Sequence, residues 1–358
     1  MFKRIILTIM FTFLLPPING KKETGICDYC EKVIFRKYLL VGNKSYHKKC
    51  YEDSVRMKCE HCNDKIIKEY IRYENKHYHS NCYELYIQLK CDFCLKKISN
   101  RYSYEDSYKY HTACFVNNIL EKCDVCLKPL EGEFIIDYWG NRYHKDHQKS
   151  LPICESCNRL VSKELTEGGY LVNENRNICS LCFNQVINKK SQIVSLEKEI
   201  RILLAEVGIK KIPLNIPITL LNSRLELEKV SKINSKDVKG YTHYNKTTLG
   251  GVKIKEDFHI YLLSNLHPTA FKSVLAHEFL HVYLFLNNYD LKSEIIEGFC
   301  NLGSKLVLET SNTDLSNYYL KSMYENNHPD YGKGFIKMDL ILKKNGWKKL
   351  LSTLKNIK

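Results

Sequence analysis

The chain has 358 residues, 55 Lys+Arg against 40 Asp+Glu, a net charge of +15, 44% hydrophobic residues and 16 cysteines. The length allows two or three domains, and the apolar content is enough for packed cores. The surplus sits late, with 26 Lys+Arg against 17 Asp+Glu in residues 188–358 but only 27 against 23 in residues 21–187, too small an excess there for a polyanion-binding surface.

Residues 1–20 open with Met1-Phe2-Lys3-Arg4, continue in an apolar run of 11 residues and end in Pro16-Pro17-Ile18-Asn19-Gly20. A basic start, a short apolar run and a small-residue end predict a secretory signal peptide. The run is too short to span a bilayer as a stable helix, and no other span is expected. The reading is an exported protein, secreted or periplasmic, with no membrane span once the leader is cleaved.

A repeat follows in residues 21–187. Its units are Cys27, Cys30, His47, Cys50; then Cys59, Cys62, His79, Cys82; then Cys91, Cys94, His111, Cys114; then Cys123, Cys126, His144, His147. The first cysteines step by 32 residues, and a fifth unit with Cys154, Cys157, Cys179 and Cys182 starts 31 residues later. Two close pairs of soft ligands per unit match a closed tetrahedral structural zinc site. Export raises the disulfide alternative, but disulfides give no reason for histidine in the third place of four units. Fifteen thiolates binding five zinc ions would also cancel the small positive excess of this region. Aromatic stretches such as Tyr70–Tyr73 and Phe134–Tyr138 suit small β-hairpins, and Tyr51, Tyr83 or Phe115 after the second pair would pack a short helix or turn on its own finger. Such units have little core, so metal binding supplies most of their folding energy.

The cysteines then stop, apart from Cys300, which puts the domain boundary near 187 and a second domain over 188–358. Ile193, Leu196, Ile200, Leu203, Leu204 and Val207 recur at helical spacing and end at Gly208. Ile216–Leu221 reads as a strand, Ser223–Lys232 as a helix, and Tyr241–Tyr244 and Phe258–Leu263 as strands around a Gly250-Gly251 turn. Pro268 suits a helix first turn, and this helix runs through His277-Glu278-Phe279-Leu280-His281 to about Leu286. Two histidines four apart share one face; they would hold a catalytic zinc, with Glu278 as the base that takes a proton from water. The helix is apolar nearly all round and so buried, where polar groups are costly unless paired.

A catalytic zinc takes a third protein ligand. A second helix starting at Asp290 carries Glu294 and Glu297. Glu297 is preferred because Gly298 would let the helix approach the metal closely, and Asn301 could accept the far N–H of a zinc histidine. An edge strand beside the active helix would bind an extended peptide; Tyr241–Tyr244 and Phe258–Leu263 are both candidates. Beyond it the chain is helical, with Leu315, Tyr318, Tyr319 and Met323 on one face, Phe335–Lys344 stopped by Asn345-Gly346, and a last helix holding Trp347, Leu350, Leu351 and Leu354. His328 and Tyr331 are loop candidates for an oxyanion donor, though packing or solvent contact is the commoner fate of such side chains.

Three segments, Leu275-Ala276-His277-Glu278-Phe279-Leu280-His281, Glu297-Gly298-Phe299-Cys300 and Tyr331-Gly332-Lys333-Gly334-Phe335, resemble the ubiquitin-activated, LIM-containing organ-size peptidases of plants, the DA family, and their bacterial relatives. Cys82-x8-Cys91, Cys114-x8-Cys123 and the Cys154…Cys182 unit resemble that family's LIM-like region. The resemblance implies an α+β protein, a tandem LIM-like array of small β-hairpin zinc units followed by a gluzincin-like metallopeptidase domain, with His277, His281 and Glu297 as zinc ligands and Glu278 as base. The fingers here are separated by six or eight residues where a LIM domain has two, so they are LIM-like. Where the plant proteins carry ubiquitin-interacting helices this sequence has its apolar leader, so ubiquitin activation and the plant substrates are not carried over. The expected function is an exported zinc endopeptidase acting on protein or peptide, with one catalytic and about five structural zinc ions, the array serving protein interaction or regulation and no nucleic-acid partner. The alternative is an inert protein-binding adaptor on a peptidase-like scaffold.

Overall fold

The computed structural model describes residues 25–35, 37–173, 176–233, 238–249 and 252–357. The leader at 1–20 and the Gly250-Gly251 turn lie outside the described residues. The architecture is α+β: small two-stranded hairpins carrying Cys/His groups, then a largely helical region. Two compact units divide after Glu121, so the composition shift near 187 falls inside the second.

In the unit ending at Glu121, one hairpin design occurs three times. Leu39–Val41 pairs with Lys44–Tyr46, Tyr70–Tyr73 with Lys76–His79, and Tyr102–Glu105 with Tyr108–His111, all antiparallel. The ligand histidine stands at or just after the end of the second strand, and a helical turn follows with the last cysteine. The aromatic residue after that cysteine packs on the hairpin: ring centroids are 5.8 Å apart for Tyr46 and Tyr51, 6.2 Å for Tyr78 and Tyr83, and 5.8 Å for Tyr110 and Phe115. The core of each finger is only a few side chains, such as Cys91, Ile98 and Tyr110 in the third. Cores of that size do not offset chain entropy without a metal or other staple.

The unit from Lys122 holds the fourth and fifth fingers and the helical region. Helix α1 spans Lys190–Glu206, strand β1 Ile218–Leu221, helix α2 Arg224–Ser231, strand β2 Gly240–Leu249 and strand β3 Val252–Leu263. Helices α3 (Pro268–Leu286), α4 (Ser293–Ser311), α5 (Asp314–Glu325) and α6 (Phe335–Thr353) follow. The sheet order is β1-β3-β2, with β1 parallel and β2 antiparallel to β3. Strand β3 is paired on both sides and β2 is terminal. Helix α3 lies against the sheet and buries Phe271, Leu275, Ala276, Phe279, Leu280 and Val282 completely, each larger side chain being worth about 1.5–3 kcal/mol. Helix α1 buries Ile193, Ile200 and Leu204 in the same core. Helix α6 breaks at Gly346, where φ is 70°, a backbone state glycine adopts without strain. Helix α4 begins at Ser293 rather than Asp290, because Tyr289 and Leu291 first pack on the core.

The fifth finger is bonded to the helical region. Arg176, 3% exposed, meets Glu155 at 2.7 Å and donates to the Ser264 carbonyl at 3.0 Å, while Arg224 reaches the same carboxylate at 2.9 Å. Tyr319 Oη donates to the Ser156 carbonyl at 2.7 Å, and Leu315 packs on the cysteine cluster. Arg176→Ala removes the bond to Ser264 and one of the two guanidiniums on Glu155, leaving Arg224 on that carboxylate, so it is expected to cost about 1.5–3 kcal/mol. A thermal melt reads that loss; a parental melting temperature would contradict it.

Candidate functional site

Helix α3 carries His277, Glu278 and His281, and helix α4 brings Glu297 opposite them. His277 Nε2 and His281 Nε2 are 3.1 Å apart, and Glu297 Oε2 lies 3.2 Å from the first and 3.6 Å from the second. Tetrahedral ligands on zinc at about 2.0–2.1 Å stand roughly 3.3 Å from one another, so the three atoms have the spacing of three corners. Glu297 Oε2 is buried and no N–H points at it with hydrogen-bond geometry. An orphaned buried carboxylate oxygen facing two imidazole nitrogens fits a cation. Burial pushes the Glu297 carboxyl up, but His277 and His281 outweigh it and hold it well below the usual carboxylate range. Burial likewise pulls His277 down, while Glu297, Glu278 and Asn301 raise it above its ordinary value.

Asn301, one turn beyond Glu297, sets the far side of His277. Its Oδ1 is 2.9 Å from His277 Nδ1, and its Nδ2 donates to the Tyr331 carbonyl at 2.8 Å. The imidazole N–H donating to that oxygen leaves Nε2 with its lone pair toward His281 and Glu297. Asn301→Ala is expected to weaken zinc here about 10- to 100-fold, measured by competition with a chelating dye; unchanged affinity would remove Asn301 from the design. Glu294 points elsewhere, 3.3 Å from Lys337 Nζ.

His277, Glu278, His281, Glu297 and Asn301 line a cleft of about 640 Å³ together with Gly240, Tyr241, Thr242, Val274 and Tyr331. Of the two strands the sequence left open, Tyr241–Tyr244 in β2 forms the cleft wall and has a terminal edge, whereas Phe258–Leu263 in β3 is sealed by β1 and β2. Thr242 Oγ1 donates to Glu278 Oε2 at 2.7 Å, a contact sequence reasoning missed. The alternation of Gly240, Thr242 and Tyr244 on one strand face was the available signal. His328 also lines the cleft, but its Nδ1 accepts from the backbone N–H groups of Asp330 and Tyr331 at 3.2 and 3.4 Å. Burial and the nearby Glu297 and Glu278 push the Tyr331 phenol well up, so it stays protonated.

The finger ligands form five groups: Cys27, Cys30, His47, Cys50; Cys59, Cys62, His79, Cys82; Cys91, Cys94, His111, Cys114; Cys123, Cys126, His144, His147; and Cys154, Cys157, Cys179, Cys182, each able to hold a metal ion. None of these cysteines is disulfide-bonded. The first histidine of each of the first four fingers is oriented alike. Nδ1 faces a cysteine sulfur at 3.4, 3.4, 3.3 and 3.5 Å, while Nε2 reaches a backbone carbonyl, of Val33, Lys65, Lys97 or Pro129, at 3.2, 3.2, 2.9 and 3.1 Å. A carbonyl that accepts the Nε2 proton selects the tautomer whose Nδ1 is free for zinc. In the fourth finger His147 Nε2 is buried without a hydrogen-bond partner. Burial pushes the thiols of Cys27, Cys59 and Cys91 up, but backbone N–H groups aimed at each sulfur bring it down to about 6, whereas burial and the neighbouring thiols push Cys50, Cys82 and Cys114 of the same fingers up to about 11.

No family model matches the chain. It is similar to Protein DA1-related 1 of Arabidopsis thaliana, 26% identical over 204 residues, which are 48% of this chain and 36% of the relative. That similarity supports the DA family. The chain therefore spans little more than a third of the relative it matches, and a peptidase-like scaffold is what the likeness carries. The three segments that bear the DA-family resemblance, distant in sequence, meet around one point. A Cβ on Gly298 would lie 2.3 Å from the Gly334 carbonyl oxygen, and one on Gly334 would lie 2.3 Å from the Glu294 carbonyl oxygen. This corrects the expectation for Gly298: its bare backbone admits the Tyr331–Phe335 segment, not the metal. The close approach carries Tyr331 to the cleft, its ring centroid 6.4 Å from that of His277.

Proposed function

We propose that this chain is an exported zinc endopeptidase, secreted or periplasmic, whose LIM-like array binds proteins or regulates the enzyme. The observation that carries the reading is the buried triad of His277, His281 and Glu297, with ligand atoms 3.1–3.6 Å apart and the Glu297 oxygen unpartnered. Those three residues would hold the ion, and the finger groups would hold five structural ones. When bound, zinc supplies a Lewis acid that acidifies water and polarises a peptide carbonyl. The terminal edge of β2 receives the substrate as an added strand through main-chain hydrogen bonds. Glu278, inside the cleft and 4% exposed, takes the proton from the attacking water on its carboxylate and returns it to the leaving amine. Tyr331, protonated on the cleft wall, donates to the carbonyl oxygen as charge builds there.

Exposed side chains on the fingers favour the interaction role of the array: Tyr86 is 66% exposed, Leu95 75% and Phe93 50%. They also keep alive the adaptor reading, in which the scaffold is inert. Metal analysis combined with cleavage of a peptide library separates the two. Six zinc ions per chain, matching the five finger groups and one more, with metal-dependent cleavage support the endopeptidase. Five ions and no cleavage support the adaptor.

A further inference from the structure

We propose that Thr242 is the positioning residue for the general base, so that the strand offered to the substrate also aims the carboxylate that works on it. The inference rests on the endopeptidase reading and names a residue that reading does not require.

Strand β2 turns Gly240, Thr242 and Tyr244 toward helix α3, since side chains two apart share a strand face. Thr242 is 6% exposed and Glu278 is 4% exposed. The Thr242 hydroxyl lies 2.7 Å from Glu278 Oε2 and 3.1 Å from the Glu278 carbonyl oxygen. A hydroxyl has one hydrogen. The carboxylate is the nearer and, being charged, the stronger acceptor, so the hydrogen goes to Oε2. Oε1 is then the oxygen with no donor from Thr242.

Two residues earlier the strand makes room for that oxygen. A Cβ on Gly240 would stand 2.6 Å from Glu278 Oε1, 2.6 Å from Val274 Cγ1 and 2.9 Å from Leu262 Cδ2. The strand therefore places the two carboxylate oxygens by different means, one by a donor and the other by a missing side chain.

A purely structural role would make Thr242 a buried polar filler between sheet and helix. Valine preserves that shape and strand propensity and deletes the donor; serine keeps the donor and loses a methyl. In the full-length, zinc-loaded protein acting on a fluorogenic peptide, Thr242→Val is expected to lower kcat on the order of 10- to 100-fold with KM within about 2-fold. Thr242→Ser is expected to keep kcat within about 3-fold of the parent. A Val variant at parental kcat, or a Ser variant as slow as Val, overturns the proposal. A urea-unfolding double-mutant cycle pairing Thr242→Val with Glu278→Ala reads the contact without turnover. Non-additive effects support it and additive ones overturn it. A parent that cleaves no peptide brings down the endopeptidase reading and the base role with it, while the cycle still decides the hydrogen bond.

Discussion

Glu278→Gln is expected to slow peptide hydrolysis by about 10²- to 10⁴-fold, the range a positioned general base supplies, with the parental number of zinc ions retained. The substitution is nearly isosteric, and Gln keeps an oxygen to accept from Thr242, which donates to Oε2 at 2.7 Å. What it removes is the ability to take a proton. His277 and His281 stand on the same helix with their Nε2 atoms 3.1 Å apart, and neither is altered by the substitution, so the residues that would hold the ion stay in place. Steady-state kinetics and metal analysis on the same preparation check both halves. Parental turnover in the Gln variant would strip Glu278 of its role. Comparing peptides cleaved by the two proteins would also identify the substrate.

Cys179→Ser is expected to remove one zinc ion per chain and to lower the melting temperature of the Lys122–Lys358 unit by about 10 °C or more. Cys179 is fully buried beside Cys154, Cys157 and Cys182, with its Sγ 3.7 Å from Cys157 Sγ. Ser offers no soft thiolate, so three ligands remain for an ion that binds zinc-finger peptides with about 10–16 kcal/mol. The loss would spread, because Arg176 and Ser156 of the same finger hold Ser264 and Tyr319 of the helical region. Cys300→Ala is the control: Cys300 is fully buried but belongs to none of the five finger groups, and its zinc count should equal the parent's. Differential scanning calorimetry with metal analysis reads both variants, and an undiminished zinc count in Cys179→Ser would refute the fifth site.

What could be read from the chain was whatever local spacing encodes. The step of 32 residues announces the fingers because each unit closes on its own ligands within some two dozen residues. His277 and His281 share a face because a helix has a fixed pitch, and Asn301 follows Glu297 by one turn for the same reason. Gly346 marks the break in α6 through its own backbone freedom.

Tertiary structure decided the matters that depend on which surface meets which. Periodicity could not say that β3 lies between β1 and β2, because strand order is set by how the chain packs the α3 face; this alone leaves β2, and not β3, with an open edge. Nor could it say that Gly298 faces Gly334, since a glycine in a helix signals close approach without naming the partner. The pairing of Thr242 with Glu278 joins residues 36 positions apart, and the bonds from Arg176 to Ser264 and from Arg224 to Glu155 tie the fifth finger to the helical region. Ligand identity and spacing are local and survive in the order of the letters. The direction of a carboxylate in a buried cleft is a property of the assembled walls, because only there do desolvation and a single donor select one orientation.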